Sequence, residues 1–163
     1  MSEHWRPAPG YESAYEISDR GSVRSVTRTT IRGGHAYRLR GRVLRPVKAA
    51  KGYRYVTLCG PTGRRRHAIH RLVLTAFVGP CPDGHEAMHL DGCPSNNALA
   101  NLRWGTGSQN ILDNVVRGTH FQARKTHCKH GHEFTPANTR IRVKASGGAQ
   151  RVCRTCSSRK AAA

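Results

Sequence analysis

Apolar residues occur along this 163-residue chain in short clusters rather than in one long periodic set, so we expect several small modules instead of one large core. The first cluster predicts a strand over residues 14–17, a turn over 18–21 and a second strand over 22–26. The apolar side of this hairpin would contain Trp5, Tyr11, Tyr15, Ile17 and Val23. The polar, glycine-containing residues 27–41 are expected to form a mobile loop.

Further along, the pattern predicts a small sheet followed by a helix. Short β-rich runs over residues 42–44, 53–58 and 66–69 are separated by glycine-containing turns, which indicates a three-stranded meander. Residues 70–78 carry apolar side chains at helical spacing, and the Gly-Pro pair after them ends that helix. We expect the helix to pack as core against the unit that follows it.

The central stretch, residues 88–114, indicates a strand, a turn, a second strand and a helix. A short apolar approach leads to His89, and the Asp-Gly pair that follows is a strong turn signal. Residues 102–104 return as a strand. Thr106 then begins a helix, because its spacing from Gln109 fits a capping box. The expected result is a ββα unit.

Four side chains of this unit suit the hydrolysis of a phosphodiester, which needs a base to activate water and a divalent cation to neutralise charge. His89 ends a strand, and Asn101, twelve residues later, can bridge loop backbone because an amide donates and accepts at once. Asn110, nine residues further on, lies in the first turn of the helix, and Asn114 lies one turn later on the same face. Taken singly, each residue is more often structural, so the hypothesis depends on their order and spacing.

The segment from His89 to Asn110, HLDGCPSNNALANLRWGTGSQN, resembles the motif of the HNH nucleases. The resemblance is specifically to their phage and intron-encoded homing endonuclease branch. The resemblance implies a ββα-metal (His-Me finger) fold in which His89 is the general base, Asn101 steadies the loop and Asn110 binds Mg²⁺ or Mn²⁺. Many family members carry Asp, Asn or His just before the catalytic histidine. This chain has Met88 there, and a thioether is a poor ligand for a hard cation. Asn110, water and the scissile phosphate oxygens would then bind the cation, with Asn114 or Asp113 as a further candidate ligand.

The charge of the chain indicates a polyanionic partner. Lys and Arg number 28 against 9 Asp and Glu, a net charge of +19 that is too one-sided for a self-contained globule. We expect double-stranded DNA, held by arginines that position the protein without reading bases. Residues 5–25 also resemble the NUMOD4 module that precedes HNH domains in homing endonucleases, which implies a DNA-binding role. The candidate DNA-binding residues are Arg42, Arg45, Arg54, Arg64, Arg65, Arg66 and Arg103.

No segment approaches transmembrane length, and the first twelve residues lack the features of a signal peptide. We therefore expect an intracellular protein, in the cytoplasm of a bacterial host and with a phage gene as one source. Neither a membrane nor an obligate protein partner is expected. In a reducing compartment, the six cysteines favour metal binding or free thiols over disulfides.

The C-terminal part contains a candidate structural zinc site. A cysteine and a histidine precede a CxxC pair by a twenty-residue insert that reads as a β-hairpin, and His132 is preferred to His130 or His127 as the histidine ligand. A module this small rarely folds alone, so bound metal would supply its stability. The alternatives are two unrelated cysteine pairs or a redox CxxC. The predicted Cys₃His ligands are Cys128, His132, Cys153 and Cys156.

The sequence thus predicts an α+β protein of three modules: a β-rich, NUMOD4-like DNA-binding module over residues 3–58, a ββα-metal nuclease over 64–118, and a zinc-stabilised β-hairpin module over 124–160. The predicted function is metal-dependent DNA cleavage, with His89 activating water and Asn110 holding the cation. One alternative is a catalytically inactive, sequence-specific DNA-binding protein that keeps the HNH fold. Another is an RNA-binding zinc protein, which fits the charge but leaves the spacing of the central residues unexplained.

Overall fold

The structure, a computed structural model, describes residues 2–145 and 147–161. The chain forms two compact units, residues 1–113 and 114–163. Within the described residues, no helix is long and apolar enough to span a membrane.

The first unit begins with a four-stranded antiparallel sheet and a separate hairpin. The sheet has the strand order β1-β2-β3-β6, and strands β4 and β5 pair only with each other. Tyr15 and Ile17 lie two positions apart on β2, so both side chains are on its buried face. In chain order the strands are β1 (Trp5–Pro7), β2 (Tyr15–Ser18), β3 (Val23–Ser25), β4 (Arg28–Arg32), β5 (His35–Leu39) and β6 (Arg42–Val43).

The β4–β5 hairpin corrects the expectation of a mobile loop over residues 27–41. Arg28 pairs with Leu39 and Arg32 with His35 in a regular antiparallel ladder. Gly33 and Gly34 make the turn with φ of +57° and +78°. Two glycines with positive φ fit a two-residue hairpin turn whose twist matches that of its strands, so the Gly-Gly pair was a hairpin signal rather than a sign of mobility.

A second sheet has the order β7-β8-β9, from strands β7 (Val47–Lys48), β8 (Arg54–Gly60) and β9 (Gly63–Ala68). The predicted meander is therefore present, but its first predicted strand, residues 42–44, lies elsewhere. Arg42 and Val43 pair with β3 in the N-terminal sheet. Strand β7, formed by Val47 and Lys48, pairs instead with β8. Helix α1 (Ile69–Phe77) follows β9 directly and buries its apolar side.

The ββα unit is formed by β10 (His85–His89), β11 (Leu102–Thr106) and α2 (Gly107–Val116). His89 pairs with Leu102 and His85 with Thr106 across the hairpin. The capping box is present: the Thr106 backbone N–H donates to Gln109 Oε1 (2.9 Å), and the Gln109 N–H donates to Thr106 Oγ1 (3.3 Å). Trp104 Nε1 donates to the Gly79 carbonyl (3.1 Å), which fixes the hairpin to the segment just after α1.

The N-terminal and central regions of the first unit share one hydrophobic core. Buried side chains from β2, β3, β8, α1 and β11 contact one another in a single cluster, including Ile17, Val23, Leu58, Val73 and Leu102. This differs from our expectation that each region would pack separately. The N-terminal sheet is thus part of the support on which the ββα unit rests.

The second unit contains α3 (Phe121–Arg124), β12 (Thr139–Val143), β13 (Ala149–Cys153) and α4 (Arg154–Ala161). Strands β12 and β13 pair from Thr139 with Cys153 to Val143 with Ala149. This hairpin occupies the insert that the sequence predicted to be β-structured. Cys153 lies at the end of β13 and begins the CxxC turn into α4.

Candidate active site and metal centre

His89 ends β10 and is only 8% exposed. Its Nε2 lies 3.2 Å from Asn97 Oδ1. A carbonyl oxygen only accepts, so this contact requires the proton on Nε2 and leaves the lone pair of Nδ1 as the basic position. The rings of Tyr53 and His70 lie 6.0 and 5.1 Å from the His89 ring and limit its rotation.

His70, in the first turn of α1, is a buried neighbour of His89 rather than an exposed second base. Burial lowers the pKa of His70 to about 4, and the positive charges of His89 and Arg71 act in the same direction. Its Nδ1 has no hydrogen-bond partner within the described chain. His70 is therefore neutral at pH 7 and packs as an aromatic side chain between Tyr53 and His89.

Asn101 forms the loop-bridging bonds that its sequence position predicts. The Asp91 backbone N–H donates to Asn101 Oδ1 (3.0 Å), while Asn101 Nδ2 donates to Asp91 Oδ1 and to the Asn96 carbonyl (2.9 Å each). The Cys93 backbone N–H and then Asn96 also donate to Asp91, and these bonds lower the pKa of its carboxyl group. The loop between β10 and β11 is thus closed by its own polar groups.

The turn between β2 and β3 supports this loop from outside. The Leu99 backbone N–H donates to the Asp19 carbonyl (2.7 Å). Gly21, with φ of +83°, lies so close to Asn97 that a Cβ on it would be 2.7 Å from Asn97 Cβ. Asn97 is therefore held between the N-terminal turn and His89. The sequence did not single out Asn97, Gly21 or Tyr53 as residues of the site.

Asn110 lies in the first turn of α2 and faces β10. Its Nδ2 donates to Glu86 Oε1 at 2.9 Å. Met88, which occupies the position before His89, is 3% exposed and covers Gly105, where any Cβ would overlap the methionine sulfur. The thioether thus packs against the hairpin backbone, and the carboxylate that contacts Asn110 is that of Glu86.

The side-chain oxygen of Asn114 accepts hydrogen bonds within the second unit. Its Oδ1 accepts from Arg117 Nη2 (2.8 Å) and from Thr119 Oγ1 (3.3 Å). Those bonds complete the C-terminal end of α2, where Gly118 has a φ of +67°. Asn114 could bind a cation only after giving them up.

The candidate DNA-binding arginines differ in their surroundings. Arg42, Arg45, Arg64, Arg65 and Arg66 are exposed, and Arg54 is half-buried. The Arg66 guanidinium stacks over the Tyr55 ring at 4.1 Å, and Arg103 forms an ion pair of 2.6 Å with Asp113. Strand β9 carries three consecutive arginines at an exposed sheet edge, whereas the Arg103 ion pair joins β11 to α2.

The structure brings the four predicted zinc ligands together. One donor atom from each lies within 4.8 Å of the others, from Cys128, His132, Cys153 and Cys156. The Cys128 and Cys156 sulfurs are 3.7 Å apart, and His132 Nδ1 is 3.2 Å from Cys156 and 3.8 Å from Cys153. Two thiolates at a tetrahedral zinc, with bonds of about 2.3 Å, are about 3.8 Å apart. The set therefore fits a zinc ion through His132 Nδ1.

Without a metal ion, the close packing of these sulfurs favours the protonated thiol at Cys156. Burial beside the other ligands raises the pKa of the Cys156 thiol to about 11. Zinc reverses that preference, because its charge stabilises the thiolate that binds it. Asn138 supports the CxxC turn: its Oδ1 accepts from the Thr155 N–H (3.1 Å) and from Thr155 Oγ1 (2.8 Å).

Comparisons with known proteins find two family motifs in the chain. The NUMOD4 motif matches residues 3–59, and the HNH endonuclease family matches residues 67–112. The chain therefore belongs with the HNH homing endonucleases that carry a NUMOD4 module before the HNH domain.

A curated relative is the DNA endonuclease I-HmuI of Bacillus phage SP01, which is 30% identical over 115 residues, or 71% of this chain. The match spans 59% of that relative's length. A solved structure described as DNA binding and cleavage by the HNH homing endonuclease I-HmuI aligns with a TM-score of 0.56 at 25% identity. It covers 97% of this chain and 82% of that chain.

Proposed function

We propose that this protein is a divalent-metal-dependent DNA endonuclease in which His89 is the general base and Asn110 binds the cation. The observation that carries the proposal is the contact of His89 Nε2 with Asn97 Oδ1, since it leaves Nδ1 free to accept a proton. The relatives named as DNA endonucleases support the class of reaction. An intracellular location remains the expectation that goes with it.

In the proposed reaction, His89 Nδ1 takes a proton from water as the water oxygen attacks phosphorus in line. The bond from phosphorus to the 3′ oxygen breaks, and that oxygen takes a proton from solvent, which leaves 5′-phosphate and 3′-hydroxyl ends. Asn97 orients the imidazole, and Asn101 holds the loop. A bound cation would stabilise charge on the phosphate and on the departing oxygen.

The proposed substrate is double-stranded DNA, because a net charge of +19 on 163 residues needs a polyanion to balance it. The arginines at the exposed edge of β9, with Arg42, Arg45 and Arg54, are proposed phosphate contacts. Arg103 already pairs with Asp113, so we propose that it contacts DNA only as a pair with that carboxylate. The proposal also includes three modules, over residues 3–58, 64–118 and 124–160. The last module is proposed to bind zinc.

A second candidate function is DNA binding without cleavage. The buried thioether of Met88 favours it, because the position before the histidine offers no oxygen to a hard cation. The same fold and charge serve both functions, so DNA affinity and its salt dependence do not separate them.

Conversion of supercoiled plasmid to nicked or linear form separates the two functions. Zinc-loaded protein is incubated with Mg²⁺ or Mn²⁺, on plasmids that carry host-genome fragments, with EDTA as the control. We expect metal-dependent cutting that falls by about 10²- to 10⁴-fold in His89→Ala, the usual contribution of a general base. His85→Ala is the matched control, because His85 is an exposed histidine on the same strand.

DNA affinity should be nearly equal in the wild type, His89→Ala and His85→Ala. Cutting that persists in His89→Ala at the same positions would remove His89 from the mechanism. Absence of cutting in the wild type, with tight DNA binding retained, would favour the second candidate.

A further inference from the structure

Glu86 is the acidic residue nearest the proposed cation ligand Asn110. It lies two residues before Met88 on β10, so both side chains leave the same face of the strand. Its Oε1 is 2.9 Å from Asn110 Nδ2. Opposite Glu86 in the ladder is Gly105, which presents no side chain of its own. A carboxylate therefore stands where the strand face meets the first turn of α2.

The spacing of the two side chains fits a shared cation. Neighbouring ligands of octahedral Mg²⁺, with bonds of 2.0–2.1 Å, are about 3 Å apart. The Glu86 and Asn110 atoms are 2.9 Å apart, and a half-turn of the Asn110 amide exchanges its nitrogen for its oxygen. The hydrogen bond would thus be replaced by two oxygens on one ion without movement of the backbone.

The lack of an ion pair at Glu86 also favours binding of a metal ion. Glu16 and Asp113 of the first unit are neutralised by ion pairs with Arg24 and Arg103. Within the part of the chain that the structure describes, Glu86 forms no ion pair, although basic residues outnumber acidic ones by 28 to 9. An exposed carboxylate that stays unpaired in so basic a protein is available to a metal ion.

We propose that Glu86 is the second protein ligand of the catalytic cation and supplies the carboxylate that Met88 does not. This inference rests on the proposed function, and it specifies how the site binds metal without an oxygen ligand just before His89. The protein site for the divalent cation is then Glu86 with Asn110, and water and phosphate oxygens complete its coordination shell.

The test measures Mn²⁺ binding without reference to cleavage. Free Mn²⁺ is followed by electron paramagnetic resonance during titration of full-length, zinc-loaded protein at fixed ionic strength. Glu86→Gln keeps the size and hydrogen-bonding capacity of the side chain but removes its charge, and we expect it to raise the Kd for Mn²⁺ by at least about 10-fold. Asp83→Asn is the matched control, because it removes the same charge from the exposed turn just before β10 and should leave the Kd unchanged.

A second variant keeps the test valid if Glu86→Gln weakens binding for an indirect reason. Met88→Asp in the Glu86→Gln background returns a carboxylate to the same strand face and should recover part of the affinity. Equal Kd values in the wild type and Glu86→Gln, or a wild type that binds no Mn²⁺ at millimolar concentration, would overturn the proposal.

Plasmid cleavage is measured in parallel and separates this inference from the proposed function. Cleavage by the wild type and Glu86→Gln at the same Mg²⁺ midpoint refutes the role of Glu86 and leaves the nuclease intact. Binding that depends on Glu86 in a protein that cuts no DNA supports the metal site and refutes the nuclease.

Discussion

The His89 Nε2 atom lies 3.2 Å from Asn97 Oδ1, and Asn97 is itself pressed against the turn at Gly21. The orientation of the proposed base is therefore set by an amide from the loop and, behind it, by the N-terminal sheet. Rings that face a single acceptor keep one tautomer, since the other would place two lone pairs against each other. The N-terminal region thus supports the proposed general base in addition to its proposed DNA contacts.

Replacement of Asn97 by alanine should slow cleavage with little change in DNA affinity. The ring of His89 would lose its acceptor and sample orientations and tautomers in which Nδ1 is not basic. Removal of a group that orients a functional histidine usually costs about 10- to 100-fold. Single-turnover rates on cleavable DNA, with affinity measured in EDTA, check this prediction.

Asn97→Asp distinguishes a positioning role from a structural one. It keeps the acceptor oxygen, so we expect most of the rate to return at high pH. The added negative charge stabilises the imidazolium, so the acidic limb of the pH–rate profile should move to higher pH. A profile that coincides with that of the wild type would mean that Asn97 only fills space.

Gly21→Ala should destabilise the protein more than the same change at Gly10. Both glycines have positive φ, +83° and +78°, where a side chain costs about 1–2 kcal/mol. A Cβ at Gly10 would meet nothing within 4 Å, whereas one at Gly21 would meet Asn97. The overlap should add about 1–3 kcal/mol. Urea unfolding of the two variants measures the difference, and equal losses would contradict the close packing.

The ββα unit could be predicted because its signals are local. The Asp-Gly turn, the capping box at Thr106 and the spacing of His89, Asn101 and Asn110 each depend on residues close in sequence. The bonds of Asn101 to Asp91 and to the Asn96 carbonyl follow from an amide in a short closed loop. The zinc cluster could also be predicted from the sequence, because the spacing of a CxxC pair and its upstream Cys and His is a local signal.

Contacts between distant segments could not be predicted in this way. Asn97 is one of two adjacent asparagines in a loop, and only the approach of Gly21, 76 positions earlier, identifies it as the one that faces His89. The position of residues 42–43 in the N-terminal sheet depends on which strand edge is free. Glu86 is an ordinary strand residue until α2 brings Asn110 beside it.

Stability should fall as the pH drops from 7 to 5, in part because of His70. Its folded pKa is about 4 against an ordinary value of 6.5, so the unfolded chain binds more protons across this range. The contribution is complete above pH 6.5 and is lost as pH falls toward 4. Water near the ring reduces this contribution to the free energy of unfolding, which amounts to about 1–2 kcal/mol between pH 7 and 5.

His70→Phe removes this titration and keeps an aromatic ring beside Tyr53 and His89. Its unfolding free energy should therefore vary less between pH 7 and 5 than that of the wild type. His35→Phe removes an exposed imidazole from β5 and is the control. If the wild type and His70→Phe lose the same stability over this range, the pKa of His70 is the same in the folded and the unfolded protein.

Removal of zinc should unfold the β12–β13 hairpin and leave the core of the first unit intact. Most of the residues described in the second unit are exposed or half-buried, and the buried hydrophobic residue there is Cys153, itself a proposed zinc ligand. Apparent binding free energies of about 10–16 kcal/mol for structural zinc exceed anything such a small core could provide. Amide hydrogen exchange should therefore lose protection in β12 and β13 on chelation, while β8 and α1 stay protected.

Cys153→Ser should release the zinc and weaken DNA binding, whereas Cys59→Ser removes an exposed thiol of β8 and should keep both properties. Elemental analysis of the two purified variants gives the zinc content directly. A full zinc content in Cys153→Ser would refute the ligand assignment. Loss of zinc with unchanged hydrogen exchange would show that the hairpin folds without the metal, and the contacts of Asn138 Oδ1 with Thr155 would then be what holds the CxxC turn in place.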